Sequence, residues 1–324
     1  MTAKILLIYP RSNKHLGLWN DLITDDRVTM RCAEKRSLGQ FANLFSILCI
    51  KFHRDIIHLP FHYYWFQYYD LYKVAKTIDH LVLVDGALNV VTLSELKKCK
   101  RINPNLKVSL YLINSLRAQS PILNKVRPQI GLFKWDNIFT FDPIDARDYG
   151  YTYLGFNYYS SHDILNDCSV ENDAYFVGGL KGGRNDLINE TYNYLTNLGV
   201  KCHFDIMLPK TCSTGSLDGV HYYHGWRPYD EILSNVNKSN CIIEITQEYQ
   251  SGATLRYFEA VCMNKKLISN NENIKNFPFY NPKWMKVFHT PDDIDTDWMM
   301  CEEVVDYSYN GEFSPVHLID YLQQ

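Results

Sequence analysis

Between residues 241 and 271 the chain reads CIIEITQEYQSGATLRYFEAVCMNKKLISNN, and this stretch gathers residue types suited to an anionic ligand. An apolar run passes into a small-residue turn, Gln250, Ser251 and Gly252, and then into a helical pattern. The first N–H groups of a helix lack partners within it and carry partial positive charge, which suits a diphosphate. Gly252 allows close backbone approach. Arg256, one turn into the helix, offers a forked guanidinium of the kind that binds phosphate. Glu259, three residues further on the same face, can accept hydrogen bonds from ribose hydroxyls. A plainer account fits too: Arg256 and Glu259 as a surface i,i+3 ion pair, with Gly252 turning the chain. Asp85 is the other acidic residue in a telling place, closing the run LVLVD before Gly86. Doubly wound sheets put their chemistry at such strand ends, although Asp-Gly is equally a turn former.

Positioning these groups needs elements, and 324 residues suffice for two domains of about 150 residues each. With 46% hydrophobic and 21% charged residues, the composition is that of a packed protein and excludes a largely disordered one. No apolar run approaches the roughly 18 residues of a membrane span. The start, MTAKILLIYP, reads as a first buried strand, without the longer apolar core and cleavage site of a signal peptide. Nine cysteines are scattered and never form CxxC, which argues against a disulfide framework or zinc site and for a reducing, cytoplasmic compartment. Residues 1–160 hold 21 Lys and Arg against 13 Asp and Glu, whereas residues 161–324 hold 12 against 23. A basic first half suits an anionic partner or membrane surface, and ordinary surface variation gives the same numbers.

In the first half, strands are expected at 4–10, 55–60, 80–85, 107–114 and 137–142, and helices at 39–52, 66–78, 93–101 and 121–133. The strand runs are continuously apolar, which implies burial on both faces and a parallel sheet. A polar stretch at 158–173 reads as a linker. The pattern then restarts, with strands at 174–177, 201–208, 241–246 and 266–269 and helices at 186–198, 229–236, 254–263 and 316–322. The expected fold class is therefore α/β: two Rossmann-like domains with parallel sheets facing a central cleft. Residues 1–160 form the first domain, 161–310 the second, and 311–324 a C-terminal helix that packs back on the first.

The 241–271 segment resembles the donor-binding signature of GT-B glycosyltransferases. There a Glu-Gly turn begins a helix and a second Glu lies eight positions after the first; here Ser251 and Gly252 stand in the Glu-Gly place and Glu259 on the second Glu. KKLISNN is similar to the "GKKLIT-N" strand of bacterial capsule and lipopolysaccharide glycosyltransferases, and NFPFYNP (276–282) to the "Y-FYNP" that often follows it. The version "Q-SG-T-R--EA" is characteristic of a subset of those enzymes. Residues 135–154 resemble the end of their first domain, and YFVGGLKGG (175–183) the opening of their second. The likeness covers the second half well and the first half only at its end.

The resemblance implies a nucleotide-sugar donor bound by Gly179, Lys181, Arg184, Trp226, Gln250, Ser251, Gly252, Arg256 and Glu259. Lys181 and Arg184, in the glycine-rich turn, would neutralise the leaving diphosphate; solvated charges on an exposed turn are the alternative. Trp226 or Tyr223 would stack on the base, while Tyr229 reads better as packing beneath its helix after Pro228. Asp85 and Arg256 are the expected catalytic residues, with Glu34 and His62 as further candidates for a base; a retaining enzyme needs no dedicated base. Asp292, Asp293 and Asp295 read as a solvated turn, so no metal and no cofactor besides the donor substrate is expected. Residues 51–76 mix basic and aromatic side chains, a pattern shared by a membrane interface and by a Tyr-rich core helix. The function implied is sugar transfer to a saccharide or lipid-linked saccharide acceptor in bacterial surface polysaccharide or lipopolysaccharide assembly, in the cytoplasm or peripheral to the inner membrane. A nucleotide-sugar epimerase of similar fold, or a catalytically inactive partner that binds nucleotide or glycan, fits the same features. Without GxGxxG after the first strand or GxxxxGK[ST] anywhere, an oxidoreductase and a P-loop are disfavoured; without an RNA or DNA motif, and at a pI of about 6.4, so is nucleic acid as a partner.

Overall fold

A computed structural model describes residues 4–34, 62–118, 121–160, 169–180, 183–209, 211–212, 215, 217–248 and 250–324. Among the described residues the chain builds two six-stranded sheets, every strand parallel to its neighbours. The first comprises β1 (Ile5–Tyr9), β2 (Val28–Cys32), β3 (His80–Val84), β4 (Lys107–Leu112), β5 (Asn137–Thr140) and β6 (Thr152–Tyr153). The second comprises β7 (Asn172–Gly179), β8 (Cys202–Met207), β9 (His221–Tyr223), β10 (Ser239–Glu244), β11 (Lys266–Ser269) and β12 (Met285–Val287). The runs ILLI of β1, HLVLV of β3 and SNCIIE of β10 are buried throughout, as strands covered on both faces must be.

Helices alternate with the strands: α1 (Arg11–His15), α2 (Leu71–Val74), α3 (Leu93–Ile102), α4 (Pro121–Ile130) and α5 (Pro143–Tyr149) in the first half. The second half contributes α6 (Asn185–Asn197), α7 (Tyr229–Asn237), α8 (Leu255–Cys262), α9 (Thr296–Met300) and α10 (Val316–Leu322). Several starts are fixed by side chains. Thr92 and Glu95 form a reciprocal capping box on α3, and Asp142 caps α5 with Pro143 at its first position.

Strand order places the site. The first sheet runs β2-β1-β3-β4-β5-β6, so the chain reverses direction between β1 and β3; the second runs β12-β11-β10-β7-β8-β9 and reverses between β10 and β7. Such switch points open a crevice at the carboxyl ends of the strands. One apolar cluster spans both sheets, joining Leu7, Val82, Tyr111 and Phe139 to Tyr175, Ile242 and Leu267. The helix α10 lies against the first sheet: Tyr321 meets Phe139 edge-on at 5.8 Å, and Asp320 pairs with Arg27 at 2.7 Å.

Some expectations change. The stretch expected as a loose linker begins with Tyr158, Tyr159 and Ser160, all buried; Tyr159 N–H donates to Phe313 C=O at 2.8 Å. The helix expected at 66–78 shrinks to the single turn of α2. The strands β2, β6, β9 and β12 were not foreseen, since each is short or half-exposed and lacks a continuous apolar run. The strand at 55–60 and the helix at 39–52 lie outside the described residues. No helix among the described residues is long and apolar enough to cross a membrane.

Candidate functional site

A cavity of about 320 Å³ lies between the carboxyl ends of the two sheets. From the first sheet come Leu16, Leu18, Asn114, Phe141, Asn157 and Tyr158; from the second, Val177, Arg184, Glu244, Gln250 and Arg256. The charged residues of the wall, Arg184, Glu244 and Arg256, all come from the second side, and the first side adds the amides of Asn114 and Asn157.

Arg256 lies in the first turn of α8, whose start is capped by the Thr254 hydroxyl accepting from Arg256 N–H at 3.1 Å. Its guanidinium pairs through Nη2 with Glu259 Oε1, and its Nη1 has no hydrogen-bond partner among the described residues. Burial alone would lower the Arg256 pKa, but the Glu259 charge outweighs it and raises it. Arg184 folds back over the end of β7 and donates to the Gly179 and Ile245 carbonyls. A Cβ at Gly178 would stand 2.9 Å from Arg184 Nη2 and 2.8 Å from Phe176 Cζ, so a glycine is required for this path. Burial, with the neighbouring Arg256 charge, pulls Arg184 down to about 10. Between these guanidiniums stands Glu244, wholly buried at the end of β10 and accepting hydrogen bonds from Thr254 and Ser269. Burial raises its pKa.

Glu259 does not line the cavity. Its carboxyl is fully buried behind Arg256 and accepts from the Tyr229 hydroxyl at 2.7 Å, which in turn meets the Tyr159 hydroxyl at 2.9 Å. Burial pushes it up to about 7 against the pull of Arg256. The i,i+3 ion pair is thus present, but in the interior and not on the surface.

Ser251 and Gly252 face the first sheet. Ser251 Oγ donates to Asp142 Oδ1 at 2.9 Å and accepts from Arg117 Nη2 at 3.0 Å. Gly252 abuts the Phe141 ring, where an added Cβ would lie 2.2 Å from Cε2. Gln250 reaches the cavity edge.

Asp85 follows β3 and is buried. Its Oδ1 accepts from Gly86 N–H at 2.5 Å, and its Oδ2 from Asn114 N–H at 3.2 Å and Asn114 Nδ2 at 3.0 Å. Desolvation pushes it up to about 6 despite these donors. Asn114, not Asp85, is the group at the cavity wall.

Other candidates stand apart. Trp226 is 71% exposed and absent from the cavity lining, while Arg227 lies over the Tyr223 ring at 5.4 Å. Glu34 is tied to Lys14 at 2.7 Å and to Gln67 at 2.5 Å. Asp293 and Asp295 cap their own turns. Lys181, residues 51–61 of the aromatic segment and the His62 side chain lie outside what the structure describes. Among the described residues no group of three or more His, Cys, Asp and Glu side chains could hold a metal ion.

Sequence reasoning missed Glu244, Arg117, Asp142 and Asn114. Glu244 was legible in principle as the lone charge in the strand CIIEIT; the others are brought together only by the packing of one sheet's loops on the other's. It also missed the buried Asp205, which binds His221 Nδ1 at 2.7 Å, the Tyr175 hydroxyl at 2.9 Å and Arg227. Burial acts to raise Asp205, yet the hydrogen bonds from His203, His221 and Tyr175 hold it well below the ordinary carboxylate range.

No protein-family model matches the sequence, and no curated protein matches it. Solved structures do share its fold. One is an alpha-glucosyltransferase in complex with UDP and a 13-mer DNA containing a central A:G mismatch, 13% identical over 86% of this chain and 82% of that one, with a TM-score of 0.51. The alpha-glucosyltransferase with UDP and a 13-mer DNA containing an HMU base gives 0.50 at the same identity and the same coverage of 86% and 82%. The lipopolysaccharide outer core galactosyltransferase WaaB in its apo form gives 0.46 at 13% identity, covering 99% of this chain and 91% of that one. At such identities the likeness concerns the fold alone. That fold is GT-B, with two Rossmann-like domains built on parallel sheets.

Proposed function

We propose that this chain is a glycosyltransferase that binds a nucleotide-sugar between its sheets and passes the sugar to a saccharide acceptor. The observation that carries the reading is the pair of guanidinium-bearing residues, Arg184 and Arg256, lining the cavity at the switch point of the second sheet, with Arg256 Nη1 buried and unpartnered among the described residues. When the bond from the sugar's anomeric carbon to the diphosphate oxygen breaks, that oxygen keeps the electron pair. Fixed guanidiniums stabilise the growing charge without reorganising, so they serve where other transferases use a metal ion. The acceptor hydroxyl forms the new bond and loses its proton. Asn114 and Asn157, across the cavity, supply amide groups to orient that hydroxyl, and the Asp85 carboxyl, bonded to Asn114, is the base assigned to take its proton.

The likeness of residues 265–271 and 276–282 to bacterial capsule and lipopolysaccharide transferases supports a surface-polysaccharide acceptor, lipid-linked and met at the cytoplasmic face of the inner membrane. The excess of Lys and Arg in residues 1–160 favours that encounter with an anionic surface.

A thermal-shift panel of UDP, GDP, CMP, ADP and TDP tests the reading without an acceptor. One of them is expected to stabilise the protein, and Arg256→Ala to weaken its binding about tenfold or more by calorimetry, the loss of one charge-assisted contact. Failure of every nucleotide, or unchanged affinity in the variant, overturns the assignment. Binding without turnover across a donor panel would leave the inactive-partner reading, and conversion of donor without acceptor the epimerase.

A further inference from the structure

Behind the cavity runs a buried chain of polar groups that meets the ligand space through Arg256. Arg256 reaches the cavity; Glu259 holds its Nη2 from behind; the Tyr229 hydroxyl on α7 donates to the same Glu259 oxygen, and Tyr159 meets Tyr229. Glu259 Oε2 has no hydrogen-bond partner among the described residues, and neither has Arg256 Nη1. One amino group of the guanidinium is therefore held by a carboxylate, while the other is buried without a partner among the described residues.

We propose that Glu259 is a proton-accepting positioning residue, which aims Arg256 at the cavity as a carboxylate and takes up a proton when a diphosphate engages the guanidinium. This rests on the diphosphate reading of the cavity.

The argument is one of charge. Arg256 is the only cation in contact with Glu259 among the described residues. The other groups facing it are Tyr229 from α7, Tyr159 from the segment after β6, Cys262 from its own helix with Tyr309 beyond, and Glu244 from β10. None of these supplies positive charge, and Glu244 opposes ionisation. A phosphate anion in the cavity, drawn to the Arg256 guanidinium, adds further negative charge beside a buried site where screening is weak. Glu259, already pushed up to about 7, then binds a proton from solvent while Arg256 keeps its own. The released Oε2 lone pairs and the new O–H remain inside the Tyr229–Tyr159 chain, so nothing need unfold. Uptake on binding makes affinity fall as pH rises, by up to tenfold per pH unit where a full proton is taken up.

Titration calorimetry with inorganic pyrophosphate in two buffers of different ionisation enthalpy at pH 7.5 counts the protons directly. Pyrophosphate's own ionisation is common to all variants and cancels between them. The wild-type protein is expected to take up about half a proton or more beyond Glu259→Gln, and to lose affinity more steeply between pH 6.5 and 8.5. Tyr229→Phe, which removes one hydrogen bond that favours the carboxylate, is expected to move the midpoint of uptake to higher pH, and it serves if the Gln variant does not fold. Equal proton counts in wild type and Glu259→Gln, or an unmoved midpoint in Tyr229→Phe, overturn the inference and leave the diphosphate site standing. A wild-type protein that binds no pyrophosphate overturns both.

Discussion

Asp85 shows what burial does to a single side chain. Its three N–H donors favour the carboxylate, yet desolvation wins and the group titrates at about 6. A carboxyl whose pKa is raised on folding costs stability once both states are ionised, and that cost disappears as pH falls from 6 towards 4. An Asn at this place has no such dependence. Asp85→Asn is therefore expected to destabilise more at pH 4.5 than at pH 7.5, the gap widening by about 2 kcal/mol. Urea unfolding at the two pH values measures this, and a constant gap would show that the carboxyl does not titrate there. If Asp85 also serves as the base, the variant retains donor binding and loses transfer. The same residue illustrates how far a sequence carries: LVLVDG marked the strand end and its acid, but not that Asn114, 29 positions later, would stand between the acid and the cavity.

At the scale of elements, α8 is the piece on which the site depends. Its Thr254 cap accepts from Arg256 N–H and donates to Glu244, so one hydroxyl fixes both the helix start and the buried acid. Thr254→Val keeps the shape but removes both bonds. A lost cap costs about 1 kcal/mol and a buried carboxylate left short of a donor adds about 1–3. The expected result is a lower unfolding midpoint in urea by that combined amount, with weaker nucleotide binding; an unchanged midpoint would mean the cap carries no weight. This helix was readable beforehand because its apolar face, its cap and the preceding apolar strand all agree. The short outer strands were not, since three residues of β9 or β12 cannot announce themselves by pattern. The exact lines of the Arg184 path depend on a glycine whose need appears only once Phe176 and the guanidinium are in place.

At the scale of the molecule, the relative setting of the sheets decides whether the cavity exists. Ser251 bridges Asp142 and Arg117, and Gly252 takes the Phe141 ring against its backbone. Gly252→Ala forces a Cβ into that ring. Overpacking of this kind costs about 1–3 kcal/mol; the wedge is expected to lower stability and to increase the radius of gyration in solution scattering. No change in either would show that the two surfaces do not meet as described. The basic stretch of the first half prefigured nothing of this contact, because an interface between loops has no periodicity to read.

Phe313 sits within ring-contact distance of Phe156, Tyr257, Phe258, Phe279 and Tyr309, at 4.9 to 6.1 Å. Its carbonyl also holds Tyr159 of the crossing segment. A ribosome that has delivered every strand of both sheets has yet to deliver this residue and the helix after it. During synthesis the two halves can each condense, but their alignment waits for the aromatic plug to emerge. A purified chain ending at residue 305, which keeps every described strand but lacks Phe313, should accordingly be cut by protease more readily than the full chain, and equal resistance would show that the plug does not align the halves.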